Sequence, residues 1–297
     1  MWSRPMHLTR TADSGESMRL RQCLLLVFVP LSSMSRAQQG AQPVPDVPAL
    51  VHQVELHQQE LEKTRENYTF LERTVVTELN KDGSPKKTET EDNEVFFVNT
   101  HQVERKVRKN GKDLSASEQA KETERVKKEV EKAQRTPPGK SQNQDTISVG
   151  RMLQIMKYSS ARREMVDGRS TIAFDYTGDP HAETHGRAED ASKKLAGTVW
   201  IDERDLQVRR LTASLYGDFH VGFGMFTLVK GSSFLFEQKL VNNELWLPVS
   251  AHVHILGRAI GMFGYRGEVQ VEDSNYQRFH VDAQPQTAAV PASLPGP

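Results

Sequence analysis

Two-residue turn signals recur along this chain at the spacing of β-hairpins: Asp82-Gly83, Asn110-Gly111, Asp167-Gly168 and Asn242-Asn243 each interrupt runs of strand character. Such dipeptides reach positive φ readily, and alternation with period two buries one face of a strand while wetting the other. Residues 68–79 form a dense aromatic and β-branched run, and 86–99 is its natural return strand. Residues 162–177 read as a second hairpin. Residues 198–202 and 206–215 flank Glu203-Arg204-Asp205, and 234–240 and 245–256 flank Asn242-Asn243. Pro248 lacks an amide donor, which suggests an edge or a bulge in its strand. Residues 265–272 alternate Tyr265, Gly267, Val269 and Val271 with Arg266, Glu268, Gln270 and Glu272, so one face is solvated.

Helical patterns are few. Residues 50–67 place Leu50, Val54, His57 and Leu61 at a helical period. Ser115 or Ser117 caps a helix running to Gln134, with Glu118, Glu122 and Glu124 near its positive end and Lys127, Lys128, Lys132 and Arg135 toward its negative end. Pro137-Pro138 stops it. Its apolar positions, Ala120, Val126, Val130 and Ala133, make one narrow contact stripe. Residues 147–158 read as a short helix, 181–194 as a polar excursion without periodicity, and 217–224 as a flexible connection. The expected fold class is therefore mainly β (α+β): a strongly curved antiparallel sheet forming a half-open β-barrel, with helices covering the concave face. A flat sheet of this length would not close its own core.

The ends have another character. Arg19, Leu20 and Arg21 precede an apolar run at 23–31, and Ser35, Arg36 and Ala37 supply small residues at positions minus three and minus one. Residues 1–37 thus read as an export signal, with Met18 as an alternative start, cleaved near Ala37. The apolar run is about half the roughly 20 residues that a spanning helix needs. Residues 38–49, rich in Gln, Pro and Ala, read as a linker. Residues 50–282 make a single half-barrel domain and 283–297 a disordered tail, which places the mature protein in the periplasm. Cys23 is the only cysteine and falls within the signal, so the exported chain has neither disulfide nor thiol nucleophile. The 39 basic and 39 acidic residues balance, which argues against a nucleic-acid backbone as partner.

Chemistry-bearing motifs are weak. His181, Glu183 and His185 lack the H-E-x-x-H spacing of zinc proteases, and His252 and His254 share a strand face with no third ligand nearby in sequence. Glycines at 217–224 have neither the lysine nor the helix of a phosphate loop, and the Ser159-Ser160 and Ser232-Ser233 pairs lack a nucleophile elbow. No catalytic residue, metal or cofactor follows from these patterns, and the chain does not read as an enzyme. Aromatic and methionine side chains spread over the strands are the remaining signal. Phe96, Met152, Met156, Phe174, Trp200, Phe226, Phe234, Phe236 and Trp246 are the candidates to line an apolar concave cavity, with Met225 and Met262 adding adaptable surface.

Residues 197–202 (GTVWID) with 206–211 (LQVRRL), residues 245–248 (LWLP) after an Asn-Asn turn, and 265–267 (YRG) with 276–279 (YQRF) resemble the outer-membrane lipoprotein carrier, or lipoprotein-sorting, superfamily. That resemblance implies a half-open β-barrel with helices in its mouth and a carrier of acylated cargo. It is concentrated in the C-terminal half and marks no cargo-contacting residue. The charged helix at 117–134 and the excursion at 181–194 depart from a minimal carrier. The leading expectation is a periplasmic carrier or binding protein for a lipid, a lipoprotein acyl chain or a similar amphiphile, with a lipid or acylated protein as partner. The alternatives are a cell-envelope interaction or stress-sensing module whose partners are envelope proteins, and a metal-dependent enzyme built on the histidines.

Overall fold

A computed structural model divides the chain into residues 1–42 and 43–297 and describes residues 43–138, 147, 149–221, 226–259 and 264–279. The export signal, the start of the linker, Met225, Met262 and the tail lie outside the described residues.

The first element, α1 (Val47–Arg65), begins inside the stretch read as linker, three residues before the expected helix. Asp46 is the reason: its carboxylate accepts from the Ala49 amide at 3.1 Å, and Pro48 suits the first turn, where no amide is required. Val47, Leu50, Val51 and Val54 are the buried stripe. At about 1.5–3 kcal/mol each, their burial contributes on the order of 8 kcal/mol to docking α1.

Strands then follow: β1 (Tyr68–Leu79), β2 (Pro85–Val98), β3 (His101–Lys109) and β4 (Lys112–Asp113), with α2 (Ala116–Arg135) and α3 (Val149–Gln154) after them. β5 (Met156–Val166), β6 (Arg169–Gly178), α4 (Arg187–Ser192), β7 (Leu195–Asp202) and β8 (Gln207–Leu215) continue the chain. β9 (Phe219–Val221), β10 (Phe226–Leu228), β11 (Ser233–Val241), β12 (Leu245–Ala259) and β13 (Tyr265–Arg278) complete it. Three expectations change. The helix expected over 147–158 stops at Gln154, and Met156 and Tyr158 belong to β5, paired with Gly178 and Tyr176. The connection at 217–224 contains the short strand β9, and the excursion at 181–194 holds the one-and-a-half-turn α4.

All strands join one 13-stranded antiparallel sheet in the order β4-β3-β2-β1-β13-β12-β11-β8-β7-β6-β5, with β9 and β10 appended to β12. The turns have the left-handed backbone that their residues allow: φ is 50° and 74° at Asn110-Gly111, 48° and 74° at Asp167-Gly168, and 54° at both Asn242 and Asn243. Pro248 sits at a bulge, opposite Gln238, where the ladder skips Val249.

The sheet curves around α1. Nine strands from β2 to β5 would span about 38 Å if flat, at about 4.8 Å per neighbour, whereas the 19 residues of α1 extend about 28 Å. Yet α1 touches β5, and Arg65 in its last turn lies 5.9 Å from the Phe97 ring on β2. The sheet remains open, ending at β4 and β5. Over β5–β8, α1 and α3 bury Ile172, Phe174 and Tyr176 of β6, Val199 and Ile201 of β7, and Leu211 and Ala213 of β8. A smaller cluster of Tyr68, Val241, Leu245 and Leu247 receives Leu61 from α1.

The charged helix α2 does a different job. Ser115 is its N-cap, in a reciprocal capping box with Glu118. β4 covers only the Arg108 and Lys109 end of β3, and α2 lies along the remainder. The Glu122 carboxylate accepts from the Lys106 amide at 2.7 Å, and Arg125 donates to the Glu104 carbonyl at 2.5 Å. An ion pair of 2.7 Å between Arg125 and Glu122 joins the two. A carbonyl and an amide two residues apart are the pair a neighbouring strand would engage, so these side chains cap an otherwise open sheet edge. Of the expected stripe, Ala133 is buried, Val126 and Val130 are half-buried, and Ala120 is exposed.

Candidate functional site

Helices pack over β5–β8 and, through Leu61, over the Tyr68, Val241, Leu245 and Leu247 cluster; beyond that cluster the same concave face continues across β11, β12, β13 and β1. Cross-strand register identifies its floor. One row runs Phe236, Ala251, Val271 and Thr74; the next runs Phe234, Val253, Val269 and Val76. The rows continue the buried Leu211 and Ala213, which pair with Phe236 and Phe234. All eight side chains are half-buried. Phe234 packs against the main core, and Phe236 stacks on it with ring centroids 6.2 Å apart and planes at 10°. The result is an apolar trough four strands wide, about 15 Å across, walled by the core on one side and open on the other.

A polar row borders the trough. Asn93, Glu72 and Asp273 lie side by side on β2, β1 and β13, on the trough face, one step of the pleat beyond Thr74 and Val271. Glu72 accepts from Thr74 Oγ1 at 3.3 Å and Asn93 Nδ2 at 3.4 Å. Asp273 is 7% exposed, and its Oδ1 has no hydrogen-bond partner among the described residues. Burial, reinforced by the Glu72 and Glu104 carboxylates, pushes the Asp273 pKa up to about 7. Glu72 is raised for the same two reasons, burial first and Glu104 second. Beyond this row Phe70 contacts Phe97 and Tyr276, with centroids 6.3 and 5.5 Å away. The Tyr276 hydroxyl donates to the Pro248 and Asp273 carbonyls.

The nine cavity candidates are divided among five places. Phe234 and Phe236 line the trough. Phe174, Met152 and Met156 are buried in the core under α1 and α3. Phe96 and Trp200 lie on the opposite face: Phe96 pairs with Val103, while Trp200 donates to Glu164 at 2.9 Å and lies 5.7 Å from the Arg210 guanidinium. Phe226 lies on the β9–β10 flap, where its ring would clash with any side chain at Gly257, which a Cβ would bring to 2.6 Å. Trp246 is held at one end of the sheet by Arg169 and Arg209, at 5.6 and 5.3 Å, and donates to Asp205 at 2.9 Å.

That end is a charge network. Asp202, fully buried, accepts from Arg169 Nε and Nη2 at 2.5 and 2.9 Å and from the Arg204 and Asp205 amides. These bonds hold its carboxyl below the ordinary value despite burial, which alone would raise it. Arg209 ties the network to the Val166 carbonyl and Asp167. The Asp202 carboxylate bonds to residues of the β5–β6 and β7–β8 turns, so the network fastens hairpin ends.

The histidines do not assemble a centre. His252 and His254 lie on the convex face in a shallow cleft of about 480 Å³ with Gln270 and Glu268; His254 is 3.8 Å from Glu268. His181 and His185 use their backbone amides to cap onto Asp179 and Glu189. Among the described residues no group of three His, Cys, Asp or Glu could hold a metal ion. No helix among them is long and apolar enough to cross a membrane.

The residues that sequence reasoning missed are the trough valines and the acidic row. Val269 and Val271 were visible as one strand face, but their neighbours Val76, Val253 and Ala251 become so only through the β1–β13 and β12–β13 pairings.

No family model and no curated protein matches the chain. Solved structures similar to it include a DUF1329 family protein from Desulfovibrio piger, at 11% identity and a TM-score of 0.38, covering 80% of this chain and 95% of that one. A LolA superfamily protein from Nitrosomonas europaea is 10% identical with a TM-score of 0.31, covering 78% and 94%. An outer membrane lipoprotein-sorting protein domain from Vibrio parahaemolyticus is 12% identical with a TM-score of 0.33, covering 79% and 95%. The site is read from its own residues.

Proposed function

We propose that this protein is a carrier or binding protein that holds the hydrocarbon part of a lipid, a lipoprotein acyl chain or a similar amphiphile in the trough of β11, β12, β13 and β1. One observation supports this above the others. Two adjacent rows of side chains, all apolar except Thr74, stay half-buried on a concave face whose other half is packed by helices. A soluble fold gains nothing by leaving such a surface wet, and each methylene moved from water onto it is worth about 0.8 kcal/mol. Phe234 and Phe236 are the cavity candidates that remain in this role.

The same reading places the protein in the periplasm, with residues 1–37 removed. Its basic n-region, apolar run and Ser35-Arg36-Ala37 support that placement.

Native mass spectrometry tests both parts. The full chain is expressed in a Gram-negative host, isolated gently from the periplasm and extracted with organic solvent. A polypeptide mass beginning at Gln38, carrying an extractable lipid or acylated peptide, supports the proposal. A bare mass, together with no thermal stabilisation on adding alkyl ligands, overturns the carrier reading.

A further inference from the structure

The polar border of the trough has a charge problem that its own residues leave unsolved. Glu72 and Asp273 are cross-strand neighbours, and Glu104 is the third carboxylate acting on them. Neighbouring like charges on a sheet destabilise it, and a buried carboxylate without a donor is costly. The surrounding groups do not relieve this. Asn93 and Thr74 donate to Glu72. The Tyr276 hydroxyl goes to main-chain carbonyls, and Lys106, the nearest basic residue on β3, pairs with Glu91 at 2.6 Å. Asp273 Oδ1 is left buried and unpartnered among the described residues. It shares the concave face with Val271, two residues away along β13, so the acceptor lies about 7 Å beyond the apolar floor.

We propose that Glu72 and Asp273 form a head-group site at the end of the trough for a primary ammonium group carried on an alkyl or acyl chain. This deepens the carrier reading and rests on it. A primary ammonium supplies what the row lacks: a positive charge, and N–H donors small enough to reach a buried oxygen. A quaternary ammonium has the charge but no donor. An anionic head would add a fourth negative group to three.

The experiment uses the mature full chain at pH 8 and two matched ligand pairs, with affinity read by isothermal titration calorimetry. Dodecylammonium is compared with dodecanol, and a lauroyl-glycyl-lysine amide with the corresponding glutamine amide. Dodecyltrimethylammonium is the donor-free control. The expected result is at least tenfold tighter binding of the amine in one pair or both. A difference in the first pair points to an amine lipid, and one in the second to the lysine of an acylated peptide. The preference should vanish in the Glu72→Gln, Asp273→Asn double variant while its dodecanol affinity stays within threefold. Equal affinities within both pairs overturn the head-group site and leave the trough standing. Binding of no alkyl ligand at all overturns the trough and the head-group site together. If the double variant does not fold, the wild-type pairs decide the matter, with trimethylammonium binding as tightly as ammonium counting against the site.

Discussion

Replacing Asp273 with asparagine should stabilise the empty protein above about pH 4, increasingly so up to about pH 7 and by a constant amount beyond it. Asparagine has the same shape, carries no charge, and offers its Nδ2 donor to the neighbouring Glu72. The magnitude follows from the buried carboxyl. An aspartate held at about 7 rather than 3.8 costs the native state about 4 kcal/mol above pH 7, at about 1.36 kcal/mol per pH unit. Solvent entering the open side of the trough and proton sharing with Glu72 reduce this, so about 2 kcal/mol is expected. The sign is fixed by where the protons sit. Below about pH 4 both folded and unfolded chains keep the proton, and Asp273 costs nothing. Between 4 and 7 the unfolded chain loses it first, so wild-type stability falls as pH rises, and above 7 the cost is constant. Thermal melts of wild type and Asp273→Asn should coincide near pH 4 and separate by about 6 °C at pH 8.5, at about 3 °C per kcal/mol for a domain of this size. A separation that is the same at both pH values, or a variant that is less stable at pH 8.5, would refute the reasoning.

Other consequences follow from the same geometry. Val253→Trp fills the trough floor between Phe234 and Val269 and should weaken binding of a fluorescent long-chain probe at least tenfold, while urea denaturation shows a stability within about 1 kcal/mol of wild type. Glu122→Ala removes the acceptor from the Lys106 amide; hydrogen exchange at that amide should accelerate about tenfold or more, with global stability lowered by about 1 kcal/mol. Unchanged protection would show that α2 does not cap the edge. Asp202→Ala leaves Arg169 with Asp205 as its remaining carboxylate and takes the acceptor from the Arg204 and Asp205 amides; it should cost about 3 kcal/mol in urea denaturation, since the buried partner of a charge network is removed.

Local signals in the sequence carried much of this architecture. The bounds of β1 and the turns at Asn110-Gly111, Asp167-Gly168 and Asn242-Asn243 were legible because alternation and turn chemistry are properties of neighbouring residues. The Asn99-Thr100 turn was not. Both residues have positive φ, 49° and 70°, although threonine disfavours that region. The tie is tertiary: the Glu66 carboxylate accepts from the Thr100 amide, and the Asn99 side chain donates to the Thr136 carbonyl at 2.8 Å. The cavity candidates failed to gather for a related reason. Large apolar residues occupy both faces of β7 and β12, and bulges at Arg209 and Val249 shift which face the alternation serves. Periodicity alone could not separate Trp200 from Phe174, nor Trp246 from Phe234. The acidic row was invisible because Glu72 and Asp273 are 201 positions apart and meet only through the β1–β13 ladder.

That ladder also dictates an order of events. The first and last strands of the domain are not the margins of the sheet but neighbours in its interior, so by strand pairing the β1–β4 ribbon is joined to the rest of the sheet through the last strand to be made. Loops of some 200 residues close slowly, because chain entropy must be spent before the contact repays it. A polypeptide emerging from a ribosome or a translocation pore can pair β5 with β6 and β7 with β8 as they appear, but it cannot assemble the trough until residue 278 is free. Binding competence therefore arrives in a single late step, and while it waits the β1 edge is exposed to any strand that would pair with it. The floor of the trough is thus both the last part of the molecule to form and the part most vulnerable to a truncated C-terminus.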